Sequence, residues 1–282
     1  MLIDSHCHLD GFARDNSLGT VLERAAAAGV AEVVAIGTEP TDWALYRDLA
    51  DAHRGRVHHT VGLHPCEVTA EGWEAAVAQL PAFFKPAASA AVPVTTATDA
   101  ALTPPPLPVA VGEIGLDYFH LPKDPAAAAA LVAAQKEAFR AQLAFAREIG
   151  TAVVVHARKA FADCVALIDA SGVDWERVVF HCFSEGAPEV RELNRRGGRA
   201  SFTGTLTYPN AAATREACVA QGVALCMVET DSPYLAPQTL RGTRNEPANV
   251  RLVAEQAACL LGMRDEEFAA AATAATRQFY GL

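Results

Sequence analysis

GTAVVVHARKAFADCVALIDASG, residues 150–172, opens on a glycine, passes through a short β-branched run that ends in a histidine, and continues as an Ala-rich segment to a second glycine. A short apolar run of this kind reads as a buried strand. The amphipathic segment after it reads as a helix whose end wants a left-handed residue. The unit is therefore a strand followed by a helix.

Outward from this stretch the unit recurs in both directions. Strand-like runs stand at LIDS from residue 2, EVVAIG from 32, VHHTVG from 57, VAVGE from 109, RVVFH from 177, RASF from 199 and LCMVE from 225. With AVVVH from 152 they make eight. Ala-rich amphipathic segments lie between them, many closing at a glycine: Gly29, Gly55, Gly150, Gly172, Gly197, Gly222 and Gly262. Strict alternation with near-continuous apolar strands predicts a parallel sheet covered by helices. Eight units favour closure into a TIM-like (β/α)8 barrel of the α/β class over an open doubly wound sheet. No G-x-G-x-x-G follows the first strand, which disfavours a dinucleotide fold. The 282 residues admit one barrel or two average domains, and the periodicity selects a single domain over 1–282. One stretch does not fit the alternation. Residues 86–108 are rich in Ala, Thr and Pro, include Pro104, Pro105 and Pro106, and read as an insertion loop on the N-terminal rim, away from the chemistry.

Composition narrows the class. Apolar residues at 51% and charged residues at 20% are an ordinary globular balance, able to bury a large core. The net charge of −10 means that a polyanionic substrate must be held by a few local cations or by metal ions, not by a basic face. Seven scattered cysteines with no C-x-x-C pair speak against both a disulfide framework and a thiolate zinc site, and point to a reducing compartment. The N-terminus shows no basic segment followed by an apolar stretch, and no run approaches the roughly 20 apolar residues of a membrane span. A cytoplasmic protein with no membrane contact and no evident obligate protein partner is expected.

Chemistry-bearing residues gather at the strand ends. His6 and His8 lie two apart at the end of the first strand, so a period of two puts both on one face. Cys7 between them points the other way, into the packing against helices. Glu113 follows VAVG, His156 ends AVVV, His181 ends RVVF, and Asp231 closes LCMVET. The C-terminal strand ends are where a barrel builds its active site. Burying so many ionisable groups together without a counter-ion costs several kcal/mol per unpaired charge. A divalent metal supplies that counter-charge. Four histidines and two carboxylates exceed one tetrahedral ion and suit two ions bridged by a carboxylate, for which Glu113 is the better candidate. Imidazole-rich ligation favours Zn, Mn, Co or Ni, with Mg admissible at a wetter position. Divalent ions acidify water toward neutral pH, and Asp231 is the candidate to accept its proton.

Further candidates are His64 in VGLHP, placed to reach a substrate oxygen, and Arg158 with Lys159, placed to take a phosphate. Arg241, Arg244, Asn245 and Glu246 form a polar cluster after the eighth strand that reads as a structural network. His53, His58, His59 and His120 are set aside as helix-face, early-strand and loop residues.

DSHCHLD at 4, GLHP at 62, GEIGLDY at 112, VHAR at 155, FHCFS at 180, ETDSPYL at 229 and RNEP at 244 together resemble the TatD family of metal-dependent deoxyribonucleases, within the wider amidohydrolase superfamily. The resemblance runs from Leu2 to Leu282 and implies metal ligation by His6, His8, Glu113, His156, His181 and Asp231. It further implies hydrolysis of DNA phosphodiester bonds, often from a 3′ end of single-stranded DNA, with Mg, Mn or Zn. Where a modified lysine commonly bridges two metals in the superfamily, Glu113 stands here. The chain departs from the family at Ala157, where a serine is more usual, and at Glu185, an added negative charge near the mouth. The alternative is a hydrolase of a small ester, lactone, amide or phosphoester on the same fold. A noncatalytic binding barrel is disfavoured, because structural metal sites are normally closed.

Overall fold

The computed structural model describes residues 1–85 and 104–282. Eight parallel strands stand in sequential order: β1 (Leu2–Cys7), β2 (Val30–Ala35), β3 (Val57–Val61), β4 (Ala110–Asp117), β5 (Ala152–Arg158), β6 (Val178–Phe180), β7 (Arg199–Phe202) and β8 (Met227–Val228). They form a nearly closed TIM-type barrel. The helices on its outside are α1 (Asp10–Arg14), α2 (Leu18–Ala27), α3 (Pro40–Ala52), α4 (Trp73–Val77), α5 (Leu80–Phe83), α6 (Pro125–Ile149), α7 (Phe161–Ser171), α8 (Ala187–Arg196), α9 (Ala212–Gln221), α10 (Val250–Leu261) and α11 (Asp265–Tyr280). The expected one-to-one alternation is thus embellished: among the described residues, two helices follow each of β1, β3 and β8. The insertion read at 86–108 falls largely on residues outside the described ones. No helix among the described residues is long and apolar enough to cross a membrane.

Two apolar layers follow from the period of two along each strand. Val33, Ala35, Val111, Val153, Val155, Val178, Phe180, Ala200, Phe202 and Val228 face the helices in one large core. Ile3, Val34, Ile36, Ala110, Ala152, Val154, Val179 and Met227 fill a second cluster together with Phe279 and Tyr280 of α11, whose phenol donates to Ser5 O at 3.0 Å. Cys7 is fully buried in the outer core, as its place between two histidines predicts.

The seam between β8 and β1 places the site. Asp231 N donates to His6 O at 3.0 Å and His8 N donates to Ser232 O at 2.7 Å. Buried Asp4 accepts from Thr230 N at 2.9 Å and from the Thr230 hydroxyl. These bonds close the barrel where β8 has left the ladder after Val228. They also hold His6, His8 and Asp231 in one patch.

Candidate metal centre

Glu113 and His156 do not end their strands, as the sequence suggests. β4 continues four residues beyond Glu113 to Asp117, paired with β5 as far as Arg158, after a register irregularity between Val111 and Ile114. Gly115, with φ near 142°, makes this possible: a Cβ there would lie 2.0 Å from His156 O. The close approach of the two strands brings their side chains into one cluster.

Glu113 is its centre. Its Oε1 lies 2.6 Å from His181 Nε2, 2.9 Å from His156 Nδ1 and 3.3 Å from His64 Nε2, and its Oε2 lies 3.4 Å from His6 Nε2. Asp231 Oδ1 stands 3.4 Å from His8 Nε2 and 3.6 Å from His6 Nε2. All six residues chosen as ligands therefore meet in one place, with His64 beside them. Burial opposes charge on Glu113, yet the neighbouring His181, His64 and His6 hold its carboxyl well below the usual range. His181 answers it: burial opposes its imidazolium, but Glu113 pushes it well above the ordinary value. His6 goes the other way, lowered by burial and by His181.

Protons alone do not satisfy this cluster. His6 is fully buried, stacks on His181 with ring centroids 3.9 Å apart, and offers neither ring nitrogen to a hydrogen-bond partner. Orphaned buried nitrogens aimed at carboxylates are what a divalent cation would satisfy. Ligand atoms of His6, His8 and Glu113 lie within 4.8 Å of one another, as do those of His6, His181 and Asp231. The residues fit metal ions.

Two carboxylates that sequence reasoning did not single out support the ring. Asp117 Oδ2 lies 3.1 Å from His156 Nε2, so it fixes the ring with Nδ1 turned to Glu113, where a cation would take the place of a proton. This is the carboxylate–histidine pairing that orients metal ligands. Burial disfavours the Asp117 carboxylate, but hydrogen bonds from His156 and His120 hold it far below the ordinary value. Glu229 Oε1 lies 3.4 Å from His181 Nδ1, near enough for charge attraction though not aligned for a hydrogen bond. The same carboxylate accepts from Cys182 N at 2.7 Å and from the Ser201 hydroxyl. Both acids stand inside motifs quoted above, four residues after Glu113 and two before Asp231. Only their position in the motifs could have signalled them.

The weaker candidates separate. His64 Nδ1 accepts from Cys66 N at 3.0 Å, so its proton sits on Nε2, pointing into the cluster as a donor. Arg158 is exposed, with its guanidinium carbon 4.2 Å from the Phe119 ring centroid, and Lys159 Nζ lies 4.9 Å from the same ring. The group after β8 is a network: buried Asn245 donates to Thr230 O at 3.0 Å and to Tyr234 O at 2.6 Å. Arg244 and Glu246 pair with Asp15 and Arg24, and Arg241 lies over Tyr208. Of the histidines set aside, His58 pairs with Glu32, and His59 is buried with neither ring nitrogen hydrogen-bonded. His120 is not a bystander, since its Nδ1 lies 2.9 Å from Asp117 Oδ2.

Comparison with known proteins agrees with this geometry. The family profile described as TatD related DNase matches residues 3–281. The chain is 31% identical to the metal-dependent hydrolase YabD of Bacillus subtilis, over the whole of both proteins. It is 28% identical to a protein of Erwinia amylovora named 3′-5′ ssDNA/RNA exonuclease TatD, covering 96% of this chain and 95% of that one. The crystal structure of YjjV, a TatD homologue from Escherichia coli, superposes with a TM-score of 0.83 at 26% identity, covering 100% of this chain and 98% of that one. A profile match over residues 3–281, nearly the whole chain, places it in the TatD related DNase family.

Proposed function

We propose that this protein is a metal-dependent deoxyribonuclease that hydrolyses phosphodiester bonds from the 3′ end of single-stranded DNA. Two divalent ions, Mg, Mn or Zn, are held by His6, His8, Glu113, His156, His181 and Asp231. The observation that carries the reading is Glu113, a buried carboxylate with four imidazole nitrogens within 3.4 Å. Bound divalent ions acidify water and draw charge from a phosphoryl oxygen.

The chain supplies the rest. Glu113, reached by His6 on one oxygen and by His64, His156 and His181 on the other, is the group shared between the two ligand sets. Asp231 is the proton acceptor. Its side chain is 13% exposed, so a proton taken up there can leave to solvent. Its backbone lies in the left-handed region at φ 53° and is fixed by the bond from Asp231 N to His6 O and by Tyr234 N donating to Asp231 O at 2.9 Å. His64 donates through Nε2 to a substrate oxygen, and Arg158 takes a phosphate at the rim, beside a Phe119 ring that is 50% exposed.

The test is degradation of 5′-labelled single-stranded DNA by protein stripped with chelator and reloaded with Mg, Mn or Zn. Ladders that shorten from the 3′ end support the proposal. The net charge of −10 favours a second reading, hydrolysis of a small ester, lactone, amide or phosphoester. Intact DNA under every metal, with turnover of p-nitrophenyl phosphodiesters or lactones, would establish that reading instead.

A further inference from the structure

Beside the ring around Glu113, three ligand atoms of different chemistry converge at the barrel mouth. Cys66 sits in the turn after β3, Asp117 ends β4, and His120 lies in the loop that follows. Cys66 Sγ is 3.6 Å from Asp117 Oδ2 and 3.8 Å from His120 Nδ1, and that nitrogen is 2.9 Å from the same carboxylate oxygen.

We propose that Cys66 Sγ, Asp117 Oδ2 and His120 Nδ1 form an additional divalent-cation site, suited to Zn, separate from the ligands around Glu113 and joined to them through Asp117 and His156. Tetrahedral zinc, with bonds of about 2.3 Å to sulfur and about 2.0 Å to nitrogen or oxygen, spaces sulfur about 3.5 Å from either neighbour and nitrogen about 3.3 Å from oxygen. Both sulfur spacings observed are within a few tenths of an ångström of this. The nitrogen–oxygen spacing must open by about 0.4 Å to reach the tetrahedral value, and the His120 side chain, 53% exposed, has room to move.

The platform under these ligands is held in place from an unrelated element. Gln135 of α6 is buried, accepts from Asp117 N at 3.0 Å and donates to Pro65 O at 3.1 Å. One side chain thereby locks the backbone of both ligand-bearing turns. Asp117 Oδ1 accepts from Phe119 N at 2.8 Å and from His120 N at 2.9 Å. This turns the loop so that His120 faces back and leaves Oδ2 toward the thiol. Scattered cysteines rule against a site made of cysteine pairs, but one thiolate joined by an imidazole and a carboxylate needs no pair. This donor set favours zinc or cobalt over magnesium or calcium. Three protein ligands leave a fourth position at the solvent-facing side, open to water or a phosphate oxygen. Because Asp117 Oδ2 also holds His156 Nε2, an ion here is felt at a ligand of the neighbouring cluster.

Cobalt tests the site without reference to activity. The full chain, stripped with chelator and titrated with Co²⁺, is expected to develop a thiolate-to-cobalt charge-transfer band in the near ultraviolet. Cys66→Ser should lose that band and bind one ion fewer per chain by mass spectrometry, with an unchanged far-ultraviolet circular dichroism spectrum. His120→Ala, an exposed position, should weaken the same ion at least 10-fold and leave the remaining metal content intact. Absence of the band in the unsubstituted protein, its persistence in Cys66→Ser, or equal metal content in all three proteins would overturn the proposal.

Discussion

The two ends of this barrel both bury ionisable groups and treat them oppositely. At the N-terminal end, Glu32 of β2 lies 2.7 Å from His58 Nε2 and also receives Arg277 of α11. Arg199 of β7 donates to Ala275 O at 3.3 Å and stacks over Phe279. Glu32 there is matched by His58 and Arg277, and Arg199 is held by a carbonyl and an aromatic face with its Nε left unpartnered, around a plug of Phe279 and Tyr280. At the C-terminal end, His6 keeps both nitrogens unpartnered, and Glu113 is crowded by four imidazoles. One end answers most of its buried charge with protein groups and the other gathers carboxylates and imidazoles into a cluster that fits a cation, the division between stability and chemistry that barrels generally show.

Substitutions at the mouth should therefore remove turnover and leave the fold. Asp231→Asn is expected to lower kcat on single-stranded DNA by about 10³-fold at saturating metal, the scale of a lost general base, with a thermal midpoint close to the parent. Full activity in this variant would take Asp231 out of the mechanism and erase the contrast.

His59 offers an intermediate case, a buried histidine outside the mouth with neither nitrogen partnered. Burial, aided by Arg47, lowers it from 6.5 to about 4. The unfolded chain then takes up the proton first, so this contribution to stability is full above pH 6.5 and is lost as pH falls toward about 4. The loss is about 3 kcal/mol over that window. Urea denaturation of the parent and His59→Leu at pH 7 and pH 4.5 should show the gap between them shift in favour of the variant at the lower pH. An unchanged gap would mean that His59 finds a proton acceptor.

Asp117→Asn tests whether support around the ligands matters as much as the ligands. Asn keeps an oxygen for the backbone donors of Phe119 and His120 but presents an amide to His156 Nε2. Metal affinity is expected to fall 10- to 100-fold, about 1.4–2.7 kcal/mol, with kcat recovered at saturating metal. A kcat loss that excess metal does not restore would give Asp117 a direct role.

The barrel was legible because eight apolar runs alternate with amphipathic segments, a pattern that few other architectures produce. The clustering of the candidate ligands was legible because a strand fixes which side a residue faces: His6 and His8 share a face, and His156 and His181 end apolar runs. What escaped depends on neighbours in space. Asp117 and Glu229 act on histidines of other strands, and nothing local distinguishes them from solvated acids. His120 looked like a loop residue because its return toward the barrel is set by Asp117 accepting two backbone N–H groups. β8 shrank to Met227–Val228 because the residues after it pair with β1 through the bonds that close the barrel and not through a regular ladder.

The smallest effect is expected at the opposite end. Glu32→Gln removes the charge between His58 and Arg277, where Arg277 is 44% exposed and screened, so the cost should be about 1–2 kcal/mol in urea denaturation with the m-value unchanged. Gln retains a carbonyl for Arg277, and the cavity keeps its volume, which limits the damage to the lost charge. Because Glu32 lies in the first half of its strand, at the end of the barrel away from Glu113, kcat and metal content should match the parent at a temperature well below the midpoint. If Glu32→Gln instead lowered kcat tenfold in a fully folded sample, the charges at the two ends would be coupled through the interior, and the division of the barrel into a stabilising end and a reacting end would fail.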